Sequence, residues 1–142
     1  SKGAHFDTHV DNFNRLRNHM LPPLDQAASA LVLDLKQRGL LDETLVVLMT
    51  EFGRTPEINR GAGRDHYPSC YSVAFAGGGI AGGQVYGKSD RIGAYPADLA
   101  CGPADLHATI FHALGIPHSQ MIHDQDNRPL PLCDGTPLPV FA

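Results

Sequence analysis

The stretch from Leu45 to His66, LVVLMTEFGRTPEINRGAGRDH, decides both the fold and the candidate site that the sequence predicts. Its first five residues, Leu45–Met49, are all apolar and include two valines, a pattern typical of a strand buried on both faces. The chain turns polar directly afterwards, at Thr50 and Glu51. Because the ligand crevice of an open α/β sheet lies at the carboxyl ends of its strands, Glu51 is a candidate site residue.

The same stretch ends in a second group of chemistry-bearing residues. Asp65 and His66 place an acid beside an imidazole on a loop that contains two glycines, Gly61 and Gly63. Carboxylate oxygens and imidazole nitrogens are ligands of divalent metals in proteins. We therefore predict that Glu51, Asp65 and His66 converge on one divalent metal, either zinc or calcium.

Two arginines of this stretch are candidate anion-binding residues. Arg54 follows the predicted strand and Arg64 precedes the acid–imidazole pair. A guanidinium group binds carboxylates and phosphates through paired hydrogen bonds. The alternative is that the arginines form salt bridges with the neighbouring acids, which would use the same carboxylates without a metal.

A further acid and imidazole occur near the start of the sequence. Asp7 and His9 are separated by one residue, so on an extended segment both side chains would lie on the same face. This spacing suits a pair of metal ligands, and we expect Asp7 and His9 to lie near Glu51, Asp65 and His66. The alternative is an ordinary capping aspartate next to a solvated histidine.

The flanking segments predict an α/β arrangement. Apolar residues at helical spacing, bounded by Pro22 and by Gly39, predict an amphipathic helix over Leu21–Arg38, which the segment 11–20 either precedes or extends. A second strand is expected at 71–76, and a second helix from Pro103 to about Leu114. We therefore predict a mostly parallel sheet flanked by helices, with the Leu45–Met49 strand at its centre.

Length and charge restrict the function. The chain has 142 residues, enough for one domain with a core, and a net charge of -4 without a basic block, which argues against a nucleic-acid partner. It contains no apolar run long enough for a membrane span. Its three cysteines form no CxxC pair, so a zinc ribbon is not expected.

The segments TEFGRTPEINRGAGRDHYP and AGGGIAGGQVYG resemble the bacterial DUF1501 family. The resemblance runs from Phe6 to Leu132, nearly the whole chain. It implies an alkaline phosphatase-like fold, shared with sulfatases, of which residues 1–142 would be the carboxyl-terminal part of a longer domain. An exported or periplasmic location would fit the same relatives. In better-studied members of that superfamily the equivalent strand ends in Ser-Asp-His-Gly, whereas here Phe52 stands in place of the metal-binding histidine.

Two function classes follow. The first is a metal-assisted hydrolase of sulfate or phosphate esters, acting on a small-molecule or carbohydrate ester. The second is a non-catalytic binding or structural module that keeps the fold. A missing amino-terminal half, or a second copy of the chain, would complete the hydrolase site. Because no hydroxyl nucleophile lies beside an activating base in a recognisable motif, we expect this chain alone to have almost no ester-hydrolase turnover.

Overall fold

A computed structural model of the chain describes residues 5–142. The strands of these residues form four two-stranded antiparallel sheets. The prediction of a mostly parallel, alkaline phosphatase-like sheet flanked by helices is therefore wrong, and the chain is a small mixed domain. The helices are α1 Asn12–Arg15, α2 Leu21–Gln37 and α3 Pro103–Ala113; the strands are β1 Val46–Leu48, β2 Gly53–Arg54, β3 His66–Tyr67, β4 Ala74–Ala76, β5 Lys88–Ser89, β6 Pro96–Asp98, β7 Met121–His123 and β8 Pro129–Pro131.

The strand predicted at the centre of the sheet pairs with a single neighbour. β1 lies antiparallel to β4, with Val47 opposite Phe75, and the two strands form a sheet of their own. Val46 and Val47 are half-buried, but Leu48 is 47% exposed. An all-apolar run indicates that both faces of a strand can be buried. It does not specify the direction of the neighbouring strand or what covers it.

The predicted helices are present where the sequence placed them. α2 ends at Gln37, and Gly39 follows at a φ of +69°, the left-handed conformation that glycine accepts most readily. The segment before it is helical too, because α1 continues through a π turn at Leu16–Met20 directly into α2. Pro22 therefore lies inside a longer helical run, where its ring would crowd the preceding turn. The π turn at Leu16–Met20 directly precedes α2, so the hydrogen-bond pattern of an ordinary α-helix is already interrupted there.

The small core lies between α3 and the carboxyl-terminal tail. Leu106 of α3 packs with Leu138 and Val140 of the tail, and side chains around β4 cover them. Asp105 fixes the start of α3, because its carboxylate accepts hydrogen bonds from the backbone N–H groups of Gly102 and Thr136, both at 2.9 Å. The same residue thus caps the helix and holds the tail against it. No helix within residues 5–142 is both long enough and apolar enough to cross a membrane.

Candidate metal centre

The amino-terminal segment lies along the loop that follows β2. Val10 and Ala62 form an antiparallel bridge, and the backbone N–H of Asp11 donates to the carbonyl of Gly61 at 2.9 Å. On the other side of the bridge, the N–H of Arg64 donates to the carbonyl of Thr8 at 3.2 Å. This pairing brings the Asp7–His9 segment next to the Asp65–His66 pair, as the sequence predicted.

Asn59 organises the loop and ties it to the amino-terminal segment. Its side-chain oxygen accepts hydrogen bonds from the N–H groups of Gly61 and Gly63, both at 2.9 Å. Its amide nitrogen donates to the carbonyl of His9 at 2.9 Å and to the carboxylate of Asp65 at 3.2 Å. Gly63 is buried against the His9 backbone, and a Cβ at this position would overlap the His9 carbonyl. Only glycine therefore fits where the two segments cross.

Three side chains converge at this crossing. His9 Nε2 lies 3.2 Å from His66 Nε2 and 3.0 Å from Asp7 Oδ1, and His66 Nε2 lies 2.8 Å from the same Asp7 oxygen. Within the described part of the chain these three residues form a group whose potential ligand atoms all lie within 4.8 Å of one another. The side chains are between 43% and 49% exposed, so the group is open to solvent.

Asp65 lies behind His9 and contacts the ring nitrogen that faces away from the group. Its carboxylate is 2.8 Å from His9 Nδ1. The hydrogen bond from His9, followed by that from Asn59, lowers the pKa of Asp65 below its ordinary value. An ionised Asp65 favours the tautomer in which Nδ1 carries the proton, which leaves the Nε2 lone pair directed at His66 and Asp7.

Arg54 lies opposite His66 in the β2–β3 pair. It donates from Nη2 to Asp7 Oδ1 at 2.7 Å and to the carbonyl of Phe6 at 3.0 Å. The hydrogen bond from His66, and then that from Arg54, hold the pKa of Asp7 far below its usual range. Asp7 is therefore a carboxylate at neutral pH. It forms a salt bridge with Arg54, which is the alternative role that the sequence allowed for this arginine.

Arg64 contacts the loop backbone. Its Nη1 donates to the carbonyls of Thr55 and Pro56 at 2.7 Å and 3.2 Å, and its guanidinium group lies 5.5 Å from the ring centre of Phe13. Arg54 and Arg64, the two arginines predicted to bind an anion, thus use part of their hydrogen-bonding capacity inside the domain. Their role toward an external anion stays a prediction.

The family known as "Protein of unknown function (DUF1501)" matches residues 1–140. The chain belongs to the DUF1501 family. The match includes both segments of the candidate metal centre, and it agrees with the resemblance carried by the loop and glycine motifs. No curated protein and no solved structure matched the chain.

In this DUF1501 chain Glu51 lies outside the candidate centre, whereas Phe52 contacts one of its histidines. Glu51 is exposed and lies outside the group formed by Asp7, His9 and His66. The Phe52 ring packs on the His66 ring, with centroids 4.3 Å apart. Phe52 therefore restricts the orientation of the neighbouring imidazole.

Asn59 positions the loop of this DUF1501 chain, and the sequence analysis did not single it out. The Asn-Arg-Gly-Ala-Gly sequence at 59–63 could have indicated this role. An asparagine two residues before a glycine often hydrogen-bonds the backbone of a turn. Sequence reasoning also assigned Asp65 to the metal itself. The structure places its contacting oxygen on the outer nitrogen of His9.

Proposed function

We propose that Asp7, His9 and His66 bind one zinc ion, and that this centre serves the metal-assisted hydrolysis of phosphate or sulfate esters. The observation that carries the proposal is the triangle formed by Asp7 Oδ1, His9 Nε2 and His66 Nε2, with sides of 2.8, 3.0 and 3.2 Å. Ligands at zinc distances of about 2.0–2.2 Å in tetrahedral geometry are separated by roughly 3.3–3.5 Å. The three sides are about 0.1–0.7 Å shorter than this spacing, so a small outward movement of the side chains would give the separation that zinc needs.

The donor set favours zinc over calcium. Two imidazole nitrogens and one carboxylate suit a borderline metal, whereas calcium prefers oxygen ligands, about six to eight of them. Three protein ligands are also the number found at catalytic zinc sites, where the fourth position is left for water or substrate. The exposure of the group provides access for a small-molecule or carbohydrate ester.

The surrounding residues have separate tasks in this proposal. Asp65 holds the Nδ1 proton of His9 and so keeps the Nε2 lone pair available. Arg54 balances the charge of Asp7 and fixes its oxygen, and Phe52 limits rotation of the His66 ring. A zinc ion, when bound, supplies a Lewis acid for the ester oxygen and lowers the pKa of a bound water. The proposal includes an evolutionary relationship to sulfatase-like enzymes, which the resemblance of the sequence motifs implies.

A non-catalytic role is the second candidate, and the nearby hydroxyls favour it. Thr50 donates to the carbonyl of Phe52, and Thr55 donates to the carbonyl of Glu57, both at 2.8 Å. Thr8 is buried and hydrogen-bonded to Asn12. These hydroxyls are held by the fold and are not directed at the candidate centre. We therefore expect the chain to bind metal and anion, and to turn over esters very slowly on its own.

Anion binding by the zinc-loaded chain tests the proposal. Titration with inorganic phosphate and with sulfate, followed by calorimetry, should give binding that requires zinc and disappears in His66→Ala. Glu51→Gln is the matched control, because it removes a nearby exposed charge outside the group and should change neither zinc nor anion binding. Zinc binding without any phosphate or sulfate binding would reject the hydrolase and leave the binding module. Absence of zinc binding would reject both the centre and the hydrolase.

A further inference from the structure

One face of the molecule exposes apolar side chains that no described segment covers. α2 contains 17 residues, and not one of them is fully buried. Phe13, Leu21 and Leu48 are between 46% and 49% exposed. These residues line an open groove of about 920 Å³ between the start of α2 and β1, together with Leu16, Leu24 and Ala28. Leu48 belongs to β1, which pairs with β4 alone within residues 5–142.

The chain exposes more surface than a folded monomer of its size. The chain exposes 10101 Å², whereas a folded monomer of 15.3 kDa exposes roughly 7,100 Å². The surplus, about 3,000 Å², exceeds both the roughly 800 Å² that each partner buries in an interface of standard size and the roughly 1,000–2,500 Å² that each subunit buries in an obligate dimer. Only six hydrophobic residues of the described chain are buried, so the domain's own core does not account for its apolar content.

Charges in the groove identify the occupant. Arg17 and Asp25 both line the groove, and they lie four residues before and four residues after Leu21. Neither takes part in a salt bridge within residues 5–142, although four other arginines and lysines of those residues do. If two copies of this helical segment cross antiparallel at Leu21, each Arg17 faces the partner's Asp25. An antiparallel crossing of this kind is a twofold arrangement, in which both copies use the same surface.

We propose that the groove is the contact surface of a homodimer, in which the α2 helices cross antiparallel at Leu21 and cover each other's groove. Leu21 of each copy enters the groove of the other, and two Arg17–Asp25 pairs flank the crossing. Burial of Leu21 and Leu48 supplies most of the affinity, since apolar area removed from water stabilises an interface without directional requirements. The charge pairs set the register and exclude a parallel crossing, which would place like charges together.

Sedimentation equilibrium of the intact chain without metal, from about 1 to 100 μM, tests this dimer independently of the proposed zinc centre. The wild type should be dimeric in this range. Arg17→Asp should weaken the dimer at least tenfold, because it places two acids opposite each other, and Asp25→Arg alone should weaken it similarly. The double variant R17D/D25R should restore the wild-type dissociation constant. Arg91→Asp, an equivalent charge change at an exposed loop, should leave it unchanged.

The proposal fails if the wild type is monomeric at all these concentrations or forms assemblies larger than a dimer. It also fails if both single variants dimerise like the wild type, since the interface would then lie elsewhere. A double variant that remains as weak as the single variants would reject the antiparallel crossing. Circular dichroism of each variant confirms that a loss of dimer is not a loss of fold.

Discussion

Asp65 Oδ1 lies 2.8 Å from His9 Nδ1, although the two residues are 56 positions apart in the sequence. The contact connects the amino-terminal segment to the loop before β3, and it favours the His9 tautomer in which Nδ1 carries the proton and the Nε2 lone pair is free. A carboxylate behind a histidine ligand both selects the tautomer and makes the ligand more basic. The zinc affinity of the proposed centre should therefore depend on Asp65, which is not one of its three proposed ligands.

Asp65→Ala should lower zinc affinity about 10- to 100-fold, which is the usual effect of removing such an outer partner. Asp65→Asn should have a smaller effect, because the amide oxygen still accepts the His9 proton but lacks the charge. Competition against a chromophoric chelator measures both dissociation constants. Asp134→Asn, at an exposed site in the tail, is the charge-matched control. Equal affinity in Asp65→Ala and the wild type would show that Asp65 does not orient His9.

Gly63→Ala should separate the two segments that build the centre. The added methyl group would overlap the His9 carbonyl, so the loop must shift away from the amino-terminal segment. Overpacking of this kind costs about 1–3 kcal/mol in the free energy of unfolding, and zinc binding should weaken with it. Gly82→Ala is the control, because a Cβ there meets no atom within 4 Å. Thermal unfolding with and without zinc gives both effects. If Gly63→Ala behaves like Gly82→Ala, the close approach is not required.

Asp105→Asn tests the connection between α3 and the tail. Hydrogen bonds from the backbone N–H groups of Gly102 and then Thr136 lower the pKa of this carboxyl below its ordinary value. Its contribution to stability is therefore fully present above about pH 4, the unfolded value, and is lost as the pH falls through the folded value. Near neutral pH the variant should be destabilised by roughly 1–3 kcal/mol, because an Asn side chain has a single oxygen and one of the two backbone N–H groups loses its acceptor.

Urea unfolding of both proteins across the acidic range measures the pH dependence of that difference. The gap between wild type and Asp105→Asn should close as the pH drops below about 4. A gap that stays constant down to the lowest accessible pH would mean that the ionised carboxylate is not what stabilises this corner.

Leu106→Ala should locate the stability of the domain in the α3–tail core. Leu106 is buried against Leu138 and Val140, so its truncation should cost about 2–5 kcal/mol in the free energy of unfolding. Val85→Ala removes apolar carbon from a side chain that is 93% exposed and should change stability by about 0.5 kcal/mol or less. Similar losses in both variants would show that this cluster is not the core.

The parts of the fold that the sequence predicted are those that local chemistry determines. The spacing of apolar residues and the turn residues at either end predicted α2 and α3 to within a residue or two, because helical hydrogen bonds join residues close in sequence. Strand pairing joins distant residues. The apolar run at Leu45–Met49 therefore predicted a strand but not its antiparallel pairing with β4. The sequence of an apolar strand likewise does not specify which surface packs against it.

The candidate site shows the same division. Residue chemistry predicted that Asp7, His9, Asp65 and His66 would lie together, and the structure brings them together. Glu51 was included because it follows a strand, and that inference assumed a parallel sheet in which several strands end at one edge. β1 instead pairs only with the antiparallel β4, so no such edge forms at Glu51. The role of Asn59 depends on hydrogen bonds to a segment 50 positions away and could not be seen from its neighbours.

The central claim is that Asp7, His9 and His66 hold one zinc ion. Equilibrium dialysis of the chain against micromolar zinc at neutral pH, with metal counted by atomic emission, tests it most directly. We predict one zinc per chain in the wild type and in Glu51→Gln, and none in His66→Ala, whose fold is checked by circular dichroism. A wild type that retains no zinc, or a His66→Ala variant that retains as much as the wild type, would contradict the account.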